Sequence, residues 1–176
     1  MLILPAKPAI DDLTVQTISQ ASPGEKHTIA LLWNHATRID AHAIGWLPTA
    51  AYEARVASDD IITISRNNEH VGLVMVGKSV SRAVMKLYQI WVRHDARILE
   101  HGRALVDEVR KKARQTHCYT IEAWVAEDLP ANLFWTAIGF KRHNWRWGRG
   151  NKGRKIYRWT IPTIPHGEMT HGRTTN

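Results

Sequence analysis

The chain has 176 residues, 44% apolar and 23% charged, enough for one domain with a real hydrophobic core and no need of metals or disulfides. A single cysteine, Cys118, excludes an intramolecular disulfide. No apolar run reaches membrane-spanning length, and MLILPAKPAI, broken by Pro5 and Pro8, is too short for a secretory signal, so the cytoplasm is the expected location. The net charge of +8 is concentrated: from Leu129 to Gly167 there is no Asp or Glu, while Lys141, Arg142, Arg146, Arg149, Lys152, Arg154, Lys155 and Arg158 all fall there. Such a segment implies cofactor phosphates or nucleic acid as partner, or else a solvated basic face of a hairpin.

In chain order, residues 1–12 read as a lead-in. Alternation over 13–19 marks a first strand. Ser22-Pro23-Gly24-Glu25 offers turn and cap chemistry ahead of a helix whose apolar spacing covers 27–37. Pro48 is expected as the first residue of a second helix through Ala57. The β-branched runs 60–66 and 71–78 form a hairpin around Asn67-Asn68-Glu69-His70, and 84–92 is a longer strand. A strongly amphipathic helix follows from near Ile98, with Leu99, Gly102, Leu105, Val106, Val109 and Ala113 on one stripe. Residues 119–125 are a strand, and 130–138 a short helix closed by Gly139. A last hairpin, 140–147 and 155–161, ends in a frayed tail over 162–176. The order β-α-α-β-β-β-α-β-α-β-β describes one mixed α/β domain over 13–161 with a mostly antiparallel sheet flanked by helices.

The chemistry concentrates where the strand ending at Val92 turns into the helix near Ile98. A helix N-terminus after a strand exposes backbone N–H groups and a positive dipole end, which favour a phosphate. Gly102 permits close approach, and Arg97 and Arg103 add charge-assisted donors. The same features also describe an ordinary amphipathic helix with a basic first turn. Elsewhere, Gly148-Arg-Gly150-Asn-Lys-Gly153 spells G-x-G-x-x-G without a helix after it and reads as a hairpin turn, not a dinucleotide site. The ten histidines lack metal-ligand spacing, so no metal is expected.

The run from Val92 through Arg97 and Gly102 to Leu105 resembles motif A of the GNAT family of N-acetyltransferases. There an Arg or Gln, two residues, Gly, one residue and Gly or Ala follow a strand ending in Val. Glu100 stands in place of the first glycine, and His94 in place of a common proline. The run from Asp128 through Asn132, Phe134-Trp135 and Gly139-Phe140 is similar to the family's later helix. The resemblance spans 61–159. It implies a GNAT-like acyl-CoA N-acyltransferase fold, acetyl-CoA or another acyl-CoA as cofactor, and an amine acceptor that attacks the thioester directly.

Residue by residue, the resemblance implies that Ile90, Trp91 and Val92 meet the pantetheine arm as an added strand. The pyrophosphate falls to Arg97, Ile98, Leu99, Glu100, His101, Gly102, Arg103 and Ala104. Asn132 contacts the cofactor arm. Trp135, grouped with the cofactor contacts, stands where many members carry a Tyr that protonates the leaving thiolate, a task indole cannot perform. Lys86 stands where several place a Glu. Tyr88 is then either the candidate acid or a core aromatic, with Glu122 and Asp95 behind it.

Two rival readings stand beside this one. One is a nucleic-acid-modifying transferase that resembles, in fold and basic hairpin only, the phage Mom type acting on adenine in DNA, with Arg146, Arg149, Arg154 and Arg158 on phosphates. The other is a non-catalytic nucleic-acid-binding relative. Trp145, Trp147 and Trp159 alternate with Arg, either to stack bases or to pack across strands. The resemblance implies a monomer or a homodimer.

Overall fold

In the computed structural model, which describes residues 13–45, 47–148 and 153–164, the β-branched runs build seven strands. They are β1 (Leu13–Thr17), β2 (Ile61–Arg66), β3 (Glu69–Ser79), β4 (Val84–Val92), β5 (Thr120–Ala126), β6 (Lys141–Trp147) and β7 (Lys155–Pro162). They form one sheet in the order β1-β2-β3-β4-β5-β7-β6, in which only β4 and β5 run parallel. Five α-helices accompany them: α1 (Pro23–Ile39), α2 (Ala41–Ile44), α3 (Thr49–Ala57), α4 (Leu99–Gln115) and α5 (Ala131–Ala137). The expected lead-in over 1–12 and the tail beyond residue 164 lie outside the described residues.

Local chemistry sets most boundaries. Ser22 and Glu25 form a reciprocal capping box, Ser22 N–H donating to Glu25 Oε2 at 2.7 Å, with Pro23 opening the first turn. Helix α1 therefore starts well before its apolar spacing does. Pro48 corrects the expectation made for it: it is extended, at φ −69° and ψ 154°, and precedes α3 rather than opening it. Asn67 and Asn68 both take positive φ, 51° and 64°, so the hairpin turns in two residues, and Glu69 and His70 join β3. Strand β7 continues to Pro162, and Thr163 is buried with its hydroxyl donating to Cys118 O at 3.0 Å, so the chain stays ordered past the expected start of the tail.

Two cores cover the two faces of the sheet. On one, Leu105, Val106 and Val109 of α4 pack against Ile62, Val74, Met85 and Ile121. On the other, Trp33 of α1 stacks on Tyr52 of α3 with ring centroids 4.5 Å apart, over Ile61, Leu73 and Met75. Within the expected α4 stripe, Leu99 is exposed and His101 buried instead. His101 is held by its Nδ1, 2.6 Å from Ala96 O.

Two irregularities in β4 open the sheet at its centre. Met75 pairs with Gln89 and Val76 with Leu87, which leaves Tyr88 as the extra residue of a bulge. The parallel pairing of β4 with β5 covers only Val84–Leu87 against Thr120–Ala123. Beyond it, β4 runs on to Val92 beside β3 and β5 to Ala126 beside β7 without pairing to each other, and the two strands splay into a V.

Candidate functional site

The V exposes backbone that a closed sheet would use. Arg93 N–H donates to Val71 O at 2.7 Å. Antiparallel alternation then turns the backbone of Trp91 toward β3 and that of Ile90 and Val92 toward the gap. Below the V lies a cavity of about 640 Å³, whose lining is mainly apolar: Ile90, Trp91 and Val92 from β4, Ile98, Leu99 and Gly102 from α4, and Leu129, Pro130, Ala131 and Phe134 around the start of α5. Ala43 and Ile44 of α2 form the remaining wall.

Helix α4 presents its N-terminus at the mouth of this cavity. Ile98 is its N-cap residue and supplies no side-chain acceptor, so the first turn is uncapped. Leu99, Glu100 and His101 thus begin a 17-residue helix whose dipole faces the cavity with no capping side chain bonded to its first N–H groups. Glu100, the substitution in the motif, is exposed and outside the cavity lining.

Arg97 reaches the same mouth. Its Nε donates to Val92 O at 3.1 Å and its Nη2 to Asp40 Oδ2 at 2.9 Å. Asp40, at the C-terminal end of α1, also accepts from Trp91 Nε1 at 2.6 Å and lies 3.2 Å from His94 Nε2. Burial alone would raise the Asp40 carboxyl; the hydrogen bonds from Trp91 and Arg97, with the nearby charge of Arg97, outweigh it and hold the group below its ordinary range. The Arg97 side chain keeps 46% exposure.

Hydrogen bonds lock α2 in place. Gln89 accepts from Trp33 Nε1 at 3.1 Å and donates to Gly45 O at 2.8 Å, tying α1 and the end of α2 to β4. Across the V, Arg154 donates to Asp128 at 2.6 Å and to His42 O at 3.2 Å, joining α2 to the β5–α5 loop.

On the sheet face away from α4, Lys86, Glu122 and Thr160 share one row of register, with Trp124 and Arg158 in the next. Glu122 is buried, and both its oxygens are engaged, by Trp124 Nε1 at 2.9 Å and Arg158 Nε at 2.7 Å. Burial works against its ionisation, but these two donors outweigh it and keep the carboxyl below its usual range. Tyr88, at the bulge, is exposed, with the Arg55 guanidinium 4.6 Å from its ring centre.

The structure therefore sorts the expected residues. Ile90, Trp91, Val92, Arg97, Ile98, Leu99 and Gly102 line the cavity. His101 and Trp135 do not: both are buried, and Trp135 is wedged edge-on between Phe134 and Phe140 in the core. Ala104 packs against that core, and Arg103 lies on the solvent side of α4. Asn132 is turned away from the cavity, its amide donating to the carbonyls of Ala126, Glu127 and Leu129. Gly102 is required by the Phe134 ring: a Cβ there would stand 2.6 Å from Phe134 Cε2. Asp95 is bound to Arg93, at 2.6 Å. Arg154 and Arg158 are committed to Asp128 and Glu122, Arg146 lies over the Trp124 ring at 4.1 Å, and Arg149 falls outside the described residues. Sequence reasoning missed Asp40 and the α2 wall, because nothing local in Arg38–Ala43 marks a segment whose partners lie more than three elements downstream.

The sheet thus splits between its two parallel strands, and an uncapped helix start stands at the split. The model of the GNAT acetyltransferase family matches residues 27–140, and the chain belongs to that family. No curated protein matches the chain significantly. Among solved structures, the yncA protein of Salmonella typhimurium, solved with its cofactor acetyl-CoA, superposes with a TM-score of 0.68 at 19% identity, over 88% of this chain and 95% of that one. Ard1 of Thermoplasma volcanium gives 0.70 at 15%, over 87% and 99%. The ribosomal-protein-S18-alanine N-acetyltransferase of Escherichia coli gives 0.63 at 14%, over 92% and 100%. At these identities the likeness is one of fold.

Proposed function

We propose that the chain binds acetyl-CoA in the V between β4 and β5 and transfers its acetyl group to an amine. The observation that carries this reading is the meeting of three features at one place: unpaired β4 backbone, an apolar cavity of about 640 Å³, and an uncapped α4 N-terminus beside Arg97. The fit is chemical: extended backbone suits an amide-bearing arm, apolar walls its carbon chain, and helix N–H groups with a guanidinium a diphosphate. When bound, the cofactor supplies an activated acyl carbonyl.

The chain's own part is to hold and orient. Ile90 N–H points into the gap and is placed to donate to the carbonyl oxygen as charge develops there. The acceptor approaches from the face bearing Tyr88 and Lys86. Glu122 is held by its two donors and is no free base, so the amine attacks already neutral and then loses its proton to solvent. Tyr88, exposed on the same face, is the proton donor to the departing thiolate. The test is thiol release from acetyl-CoA with a panel of amines. A Tyr88→Phe variant is expected to lower kcat on the order of a hundredfold with KM for acetyl-CoA unchanged. An unchanged kcat removes Tyr88 from the chemistry, and no release with any amine removes the transfer reading.

A further inference from the structure

We propose that the outer edge of the sheet is a platform for single-stranded nucleic acid, formed by Trp145, Trp147, Arg142 and Lys155. Strand β6 ends the sheet, and all seven of its residues are exposed. Trp145 pairs with Tyr157 and Trp147 with Lys155, so these four side chains share one face. The Arg142 guanidinium lies on that face too, 4.6 Å from the Tyr157 ring centre.

The two indoles are the unusual feature. Trp145 is 42% exposed and Trp147 59%. Their ring centres are 5.2 Å apart at 79°, a T-shaped contact in which the edge of one ring meets the face of the other while both indoles stay exposed. Lys155 Nζ sits 5.1 Å from the Trp145 ring centre, an ammonium held beside a stacking surface. Exposed, mutually fixed aromatic rings interleaved with cations are what bases and phosphates need: ring faces to stack on and positive charge along the backbone. Arg146 is not part of the platform: it pairs with Ile156 on the opposite face and lies over the Trp124 ring.

Charge decides between occupants. Residues 129–167 hold no carboxylate, and a second copy pairing along β6 would set Lys141, Arg142 and Arg146 of both chains against one another. A polyanion meets no such repulsion. The platform also differs from the arginines singled out in the sequence, since Arg154 and Arg158 are spent on Asp128 and Glu122. It stands apart from the acetyl-CoA reading, because none of its residues lines the cavity.

The experiment titrates the full chain with fluorescently labelled oligothymidylate and oligouridylate of roughly a dozen nucleotides. Expected are saturable binding, quenched tryptophan emission and an affinity that falls steeply between about 50 and 200 mM salt. Trp145→Ala and Trp147→Ala should each weaken binding on the order of tenfold, while Trp147→Phe retains it. Both indoles are solvent-exposed, so thermal unfolding of the variants should match the parent. Three outcomes overturn the proposal: no binding at low salt, equal binding by the alanine variants, or a self-associated chain in sedimentation that Trp145→Ala converts to monomer, which gives the edge to a second copy.

Discussion

Asp40 and Arg97 together set the charge at the mouth of the cavity. On the proposed reading the guanidinium attracts a diphosphate, while the Asp40 carboxylate, 2.9 Å from Arg97 Nη2, both positions it and opposes the ligand. Arg97→Ala should therefore weaken acetyl-CoA binding about tenfold in calorimetry. Asp40→Asn, which keeps an acceptor for Trp91 but removes the negative charge, should strengthen binding severalfold at low salt; weaker binding would show that Asp40 supports the ligand. Gly102 carries a separate demand. A Cβ at this position would come within 2.6 Å of Phe134 Cε2, so Gly102→Ala should displace the ring. The cost expected in urea unfolding is about 1–3 kcal/mol. At this scale the sequence was legible where a residue must lack a side chain, as at Gly102, against which the Phe134 ring packs. It was not legible where the role depends on a side chain's direction. Trp135 holds the place of a family acid, yet points into the core between two phenylalanines.

Elements whose ends are written in local chemistry were readable. The Ser22–Glu25 box and the stripe of α4 announce themselves by spacing. Helix α2 does not, since four residues carry no period, and the bulge at Tyr88 arises only from pairing with β3. The capping box also gives α1 an acid-sensitive start. Hydrogen bonds from the Ser22 side chain and backbone lower the Glu25 carboxyl from 4.5 to about 2. A carboxyl lowered on folding contributes stability that is complete above its unfolded value and lost as pH falls through its folded one. Unfolding measured from pH 4.5 down to 2 should therefore show a falling stability. Glu25→Gln should flatten that fall, and an identical slope would mean the box does not set it.

For the whole molecule, two cores cover the two faces of the sheet, and the V between β4 and β5 is what neither core fills. Closing the V with backbone pairing would satisfy Ile90 and Val92 but abolish the cavity. The family's shape was readable from two motifs in order; the strap from Arg154 to Asp128 and His42 was not, because it joins three segments distant in sequence. The deciding measurement is a backbone amide NMR titration of the full chain with acetyl-CoA. Saturable shifts largest at Leu99, Glu100 and His101, with Ile90 and Val92 next, are the predicted result. Shifts confined to other residues, or none at all at millimolar ligand, would contradict a diphosphate seated on the start of α4.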